Sequence, residues 1–249
     1  MKKLATLAMG LMLSMSVMAN DDVNYYLYTG DAVADGVADA AADAAATATN
    51  YDYCSDACLF WKGMEYYELG TQYGYNQALD YFTQSANMGN ADAQFQLGYM
   101  ASKGIGVKQD YQKAIQWYTK AANQGDKVAQ FNLGLMYDQG RGTPVDYHQA
   151  VHWYKKAANQ GDADAQLNLG AMHVKRHGVR QDYKQAFNWY AKAAAQNDAV
   201  AQSNIAGLYY NGQGVRQSYS LAKEWYGKAC DNGSQKGCDE YRELNQRGF

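Results

Sequence analysis

The sequence predicts an all-α solenoid of about five helix-turn-helix repeats, and three observations predict it. First, the chain repeats itself at a period of 36 residues, with gapless units starting at Ala91, Lys127, Ala163 and Ala199. Second, apolar residues within each unit recur at steps of three and four, the spacing of a helix face. Third, good N-cap residues recur at the same period just before each apolar stripe. A period of this size marks supersecondary units that cannot bury their apolar faces alone and must stack.

The elements follow in chain order. Met1-Lys2-Lys3, the apolar run Leu4 to Val17 and the small residues before Asn20 read as a signal peptide over 1–19, cut after Ala19. The run is too short to span a bilayer comfortably, so the mature chain is expected not to cross a membrane. Cleavage removes two lysines and takes the formal charge from −3 to −5. A mildly acidic chain lacks the clustered Lys and Arg of a nucleic-acid binder. Residues 20–57 are Ala- and Asp-rich, with Asp31, Asp35, Asp39 and Asp43 every four residues, and read as a flexible, solvated spacer.

The solenoid is expected over 58–249, with repeats near 60–90, 91–126, 127–162, 163–198 and 199–234 and a capping helix over 235–249. The first of these is degenerate. In the others, Asn90, Asp126, Asp162, Asp198 and Ser234 precede one helix; Asp110, Asp146, Asp182 and Ser218 precede its partner. Tyr111, Ala114, Trp117, Tyr118, Ala121 and Ala122 form the apolar face of a second helix. Gly98, Gly134 and Gly170 fall inside first helices. Glycine there costs about 1 kcal/mol against alanine, so close helix packing is the expected compensation.

Four cysteines lie past the cut, an even number that suggests disulfides in an exported protein. Cys230 and Cys238 flank a turn centred on Ser234, four residues from each, which brings them level on antiparallel helices. They are read as a staple. Cys54 and Cys58 are expected to pair with each other, because reaching Cys230 would mean spanning the stack, while bonded Cα atoms lie within about 7 Å.

The pattern A-x-A-Q-x-x-L-G, then Y-x-x-G-x-G, then D-Y-x-x-A-x-x-W-Y-x-K-A-A resembles the Sel-1-like repeat (SLR), a relative of the tetratricopeptide repeat, from about Phe60 onwards. The resemblance implies a right-handed α/α superhelix whose concave face holds other proteins. Cysteine-rich SLR proteins place bridges at the spacing of Cys230 and Cys238, which points the same way. Repeat three departs from the pattern: His173 replaces a tyrosine and Arg176 a loop glycine, so an altered loop is expected there. Ala206 replaces the helix glycine in the next repeat.

In tetratricopeptide-like proteins the asparagine before Leu-Gly lines the inner groove and binds the ligand's backbone. Here that slot holds Gln96, Asn132, Asn168 and Asn204. Tyr99, Lys103, Gln139 and Lys175 share the face, as do Leu135 and Asn211. An amide donates and accepts, so it can match an extended peptide without reading its sequence. A merely solvated polar face is the competing reading.

Two other constellations stand in the sequence. His148, His152, His173 and His177 form two i, i+4 pairs that folding brings near one another, as in a metal site. The first pair, however, occupies solvent-type slots, so surface histidines are expected, and no metal or cofactor. Ser220-Leu221-Ala222-Lys223 fits S-x-x-K, and some cysteine-rich SLR relatives have been described as binding or hydrolysing β-lactams. No K-T-G or S-D-N accompanies it. The expected function is therefore a non-enzymatic, exported (periplasmic or secreted) scaffold binding a protein or peptide; a binder or hydrolase of β-lactam or cell-wall-like ligands is the alternative.

Overall fold

A computed structural model describes residues 54–249. The expected signal peptide and most of the Ala/Asp-rich segment lie outside the described residues. Eleven helices and no strands are found among the described residues. They are α1 (Asp56–Tyr67), α2 (Gln72–Asn87), α3 (Ala91–Lys103), α4 (Tyr111–Asn123), α5 (Lys127–Gln139), α6 (Tyr147–Asn159), α7 (Ala163–Lys175), α8 (Tyr183–Ala194), α9 (Ala199–Asn211), α10 (Tyr219–Asp231) and α11 (Gln235–Gln246). Packing runs between sequence neighbours, with α9 also touching α11. This is the all-α repeat solenoid that the period requires.

Every expected N-cap acts as one. Asp126, Asp162 and Asp198 accept the N–H of Ala129, Ala165 and Ala201 at 2.6–2.7 Å. Asp110, Asp146, Asp182 and Ser218 cap the second helices in the same way. Ser55 and Thr71 cap the two helices of the degenerate first repeat.

The glycines inside first helices have a packing cause. A Cβ on Gly98, Gly134 or Gly170 would lie 2.6 Å from the ring of Tyr118, Tyr154 or Tyr190. Tyr118 and Tyr154 are fully buried, each at the centre of its repeat's apolar cluster. Tyr226 meets Ala206 in the same slot and stays slightly more exposed, at 6%. Trp153 reaches back into the cluster of the preceding repeat, so adjacent cores interlock. On the outer side of the same helices, Lys120, Lys156, Lys192 and Lys228 lie 3.9–4.5 Å over the rings of Trp117, Trp153, Trp189 and Trp225.

A polar spine joins the repeats. Gln130 is 3% exposed; its Nε2 donates to Ala122 O at 3.0 Å, and its Oε1 accepts from Gln160 Nε2 at 2.8 Å. Gln160 also donates to Gly125 O at 2.9 Å. Gln94 with Gln124, Gln166 with Gln196, and Gln202 with Asn232 repeat the central link. Both amides of each repeat thereby bond the end of the repeat before it, and the buried one is satisfied on both sides.

The staple occupies this spine's position at the last turn. Cys230 stands in the slot of Ala122 and Cys238 in the slot of Gln130, and they are bonded with Cα atoms 4.5 Å apart. A covalent bond thus replaces the amide-to-carbonyl hydrogen bond. Cys54 and Cys58 are also bonded, with Cα atoms 5.5 Å apart, across the N-cap of α1. Both pairings are the expected ones, and no cysteine is free among the described residues.

The altered loop expected in repeat three is not found. Arg176 has φ 65° and ψ 28°, close to the 71° and 32° of Gly104 in the equivalent position. Its N–H and that of His177 both bond Met172 O, as Gly140 and Arg141 bond Met136 O. The loop's hydrogen bonds dictate the left-handed conformation, and arginine adopts it at a cost of about 1 kcal/mol.

Candidate functional site

The residues of the expected ladder fall at one slot of α3, α5, α7 and α9, but they are not equivalent. Gln96, Asn168 and Asn204 are half-buried. None of the three side chains makes a hydrogen bond among the described residues. Asn132 is 7% exposed, and its Nδ2 donates back to Val128 O at 2.9 Å. One of its two N–H groups is therefore spent inside α5. Asn211, two turns beyond Asn204, likewise donates to Gly207 O at 3.0 Å.

The flanking residues share the face. Tyr99 is half-buried and stacks near Phe95, with ring centroids 6.4 Å apart. Lys103, Gln139 and Lys175 are exposed at the ends of their helices. Partial burial, and then the charge of Arg141, lower the Lys103 pKa. Between the strands of this ladder, Tyr154 donates its hydroxyl hydrogen to Asp138 Oδ2 at 3.3 Å. Burial raises the pKa of both, most strongly for Tyr154.

Asp164 stands out on the opposite edge, in the first turn of α7. Its Oδ2 is buried without a hydrogen-bond partner, and burial, with Asp162 and Asp198 nearby, raises its pKa to about 6. The equivalent slots in neighbouring repeats hold Val128 and Val200.

The histidines do not assemble. His177 stacks on Tyr147 at 4.1 Å, and His152 sits edge-on to Trp153 at 5.0 Å. Burial lowers the His173 pKa, and among the described residues its Nδ1 is buried without a hydrogen-bond partner. Among the described residues no group of three or more His, Cys, Asp or Glu side chains is placed to hold a metal ion.

Ser220 and Lys223 line an open groove of about 620 Å³ with Tyr241 and Phe249. The Lys223 ammonium donates to Asn245 Oδ1 at 2.7 Å and to the Phe249 carbonyl. It is held against the last helix by these acceptors, not by Ser220.

The buried glutamine spine was not assigned a role from the sequence. Its signal was present, since Gln94, Gln130, Gln166 and Gln202 recur at the repeat period on an otherwise apolar stripe. Among the described residues no helix is long and apolar enough to cross a membrane.

Comparison with known proteins gives the following. The Sel1 repeat model matches residues 59–90, 91–126, 127–162, 163–198 and 199–234. A protective antigen of uropathogenic Escherichia coli strains that displays an SLR fold superposes with a TM-score of 0.75 at 29% identity, over 87% of this chain. The chain spans only 44% of that protein's length. A Sel1 repeat protein from Oxalobacter formigenes superposes with a TM-score of 0.66 at 32% identity, over 76% of this chain and 86% of its own. No curated protein matches the chain.

Proposed function

The chain belongs to the Sel1 repeat family, and from that premise we propose that it is an exported, non-enzymatic scaffold that holds an extended segment of another protein along its first-helix face. Sel1 repeat proteins are generally protein-interaction scaffolds. The carrying observation is the contrast between two sets of amides. Gln94, Gln130, Gln166 and Gln202 are buried and hydrogen-bonded within the fold. Gln96, Asn168 and Asn204 recur at the same period, yet the fold uses none of them. Amides kept at a fixed interval without an internal partner suit the N–H and C=O groups of a bound backbone. Two disulfides support an oxidising compartment, for which the periplasm is the proposed location.

Partner capture from a cell-envelope extract, followed by titration with the captured protein, tests this reading. Asn168→Ala with Asn204→Ala is expected to weaken binding about tenfold or more while helicity stays unchanged, since hydrogen bonds contribute about 0.5–1.5 kcal/mol each. Unchanged binding by the double variant overturns the ladder assignment.

A further inference from the structure

The solenoid's two edges carry opposite charge. The turns from second helix to first hold Asp92, Asp126, Asp162, Asp164, Asp198 and Asp231 against Lys127 and Lys236. The loops from first helix to second hold Lys103, Lys108, Arg141, Lys175, Arg176, Arg180 and Arg216. Of the acids at that second edge, Glu68 and Asp138 lie at the ends of first helices, with Asp138 accepting from the Tyr154 hydroxyl, and Asp110, Asp146 and Asp182 are helix caps that accept backbone N–H groups.

The positive charge concentrates where repeat three meets repeat four. Arg176, Arg180, Lys184 and Arg216 are all exposed there, and among the described residues none takes part in an ion pair. Of these, Arg180 and Lys184 line a groove of about 640 Å³ together with His173, Val179, Tyr183 and Gly214. The groove has a definite origin. A Cβ on Gly214 would lie 2.5 Å from the Tyr183 carbonyl carbon, so the fourth loop rests directly on the start of α8. Asp182 also lines the groove, but its Oδ1 is taken by the N–H groups of Lys184 and Gln185.

Arg176 is the second, independent observation. Gly104, Gly140 and Gly212 occupy its slot in the other repeats with the same left-handed backbone. An arginine there strains the chain, and among the described residues its side chain makes no hydrogen bond or ion pair. Strain of this kind is retained where a side chain serves another purpose.

We infer that this edge is a docking surface, distinct from the amide face, for an acidic polypeptide segment carrying a large apolar side chain. Guanidinium groups pair bidentately with carboxylates, and the Val179 and Tyr183 floor accepts the apolar group. A flat anionic membrane does not enter a groove of this shape. A nucleic acid would meet the opposed charge of the acidic edge and the net negative chain.

The test uses the full mature chain and a short fluorescein-labelled oligoglutamate with one central leucine, read by anisotropy. Saturable binding is expected, weakened by salt and abolished when the probe's glutamates are replaced by glutamine. Arg176→Gly with Arg180→Ala is expected to weaken it about tenfold, the scale of charge-assisted hydrogen bonds. Arg176→Gly alone is expected to weaken binding while raising the thermal midpoint by about 2–4 °C, because it restores the residue the backbone prefers. Asn168→Ala with Asn204→Ala is expected to leave the probe's affinity unchanged, so this surface and the amide face fail separately. The inference is overturned if the oligoglutamate does not saturate, or if the arginine variants bind it as tightly as the natural chain. It is equally overturned if vesicles of anionic lipid or a DNA oligonucleotide bind that edge more tightly than the peptide.

Discussion

Replacing Gly134 with alanine puts the helix–helix packing argument to a quantitative test. The new Cβ would lie 2.6 Å from Tyr154 Cδ1 and 2.7 Å from Cε1, whereas carbon atoms rest at about 3.5–4.0 Å. The ring must therefore retreat by roughly 1 Å in an interior packed like a crystal, which costs about 1–3 kcal/mol. Retreat also pulls the hydroxyl from Asp138, already 3.3 Å away, a loss of about 1 kcal/mol. Against this stands a gain of about 1 kcal/mol in helix propensity. The net expectation is a loss of about 2 kcal/mol. Gly207→Ala is the internal control, since only Tyr226 Oη lies near its Cβ, at 3.9 Å. That change should stabilise by about 0.5–1 kcal/mol. Urea denaturation gives both values, and hydrogen exchange in α5 and α6 reports where the loss falls. A Gly134→Ala protein as stable as the natural chain would refute the packing argument. An alanine does occur in this slot once, where Ala206 packs in one cluster with a buried Tyr226.

Three further outcomes follow from the same reasoning. Gln130→Met takes the amide donor from Ala122 O, which keeps the Gly125 N–H, and leaves one N–H of Gln160 without a partner, so urea denaturation should show a loss of about 1–2 kcal/mol. Replacing Cys230 and Cys238 with serine should cost roughly 2.5 kcal/mol by loop entropy and speed hydrogen exchange in α11 before any other helix. Asp164 has a pKa of about 6 in the fold against about 3.9 in an unfolded chain, so the unfolded state holds fewer protons between these values. Its contribution is then fully present below about pH 4 and lost as pH rises through about 6. Discounted for its partial exposure, the loss is about 1 kcal/mol. Asp164→Asn should therefore stabilise the chain by about that amount at pH 7.5 and hardly at all at pH 4, measured by denaturation at both.

Much of this fold was legible because the sequence states each element several times over. One cap or one stripe is weak evidence, but Asp126, Asp162 and Asp198 at a constant interval leave a helix start as the economical reading. The cysteine pairs were legible because an antiparallel turn centred on Ser234 fixes which side chains stand level. What stayed hidden depends on side-chain direction. The slots of Gln94 and Gln96 are two residues apart and both hold amides, yet one is buried in a polar spine and the other faces outwards. Periodicity alone does not separate them. Asn132 shows the same limit, since its fold back onto Val128 O is a rotamer choice. Arg176 misled for a different reason: residue type predicted a changed loop, while the loop's hydrogen bonds overrode that preference.

Site-specific photocrosslinking tests the central claim most directly. A benzophenone side chain placed in turn at Gln96, Asn168 and Asn204 should join the chain to a polypeptide in envelope extract. The same group at Gln112 and His148, on the second helices, should not. Adducts confined to the second-helix positions, or none from the three first-helix positions, would contradict a scaffold that grips its partner by the amide face.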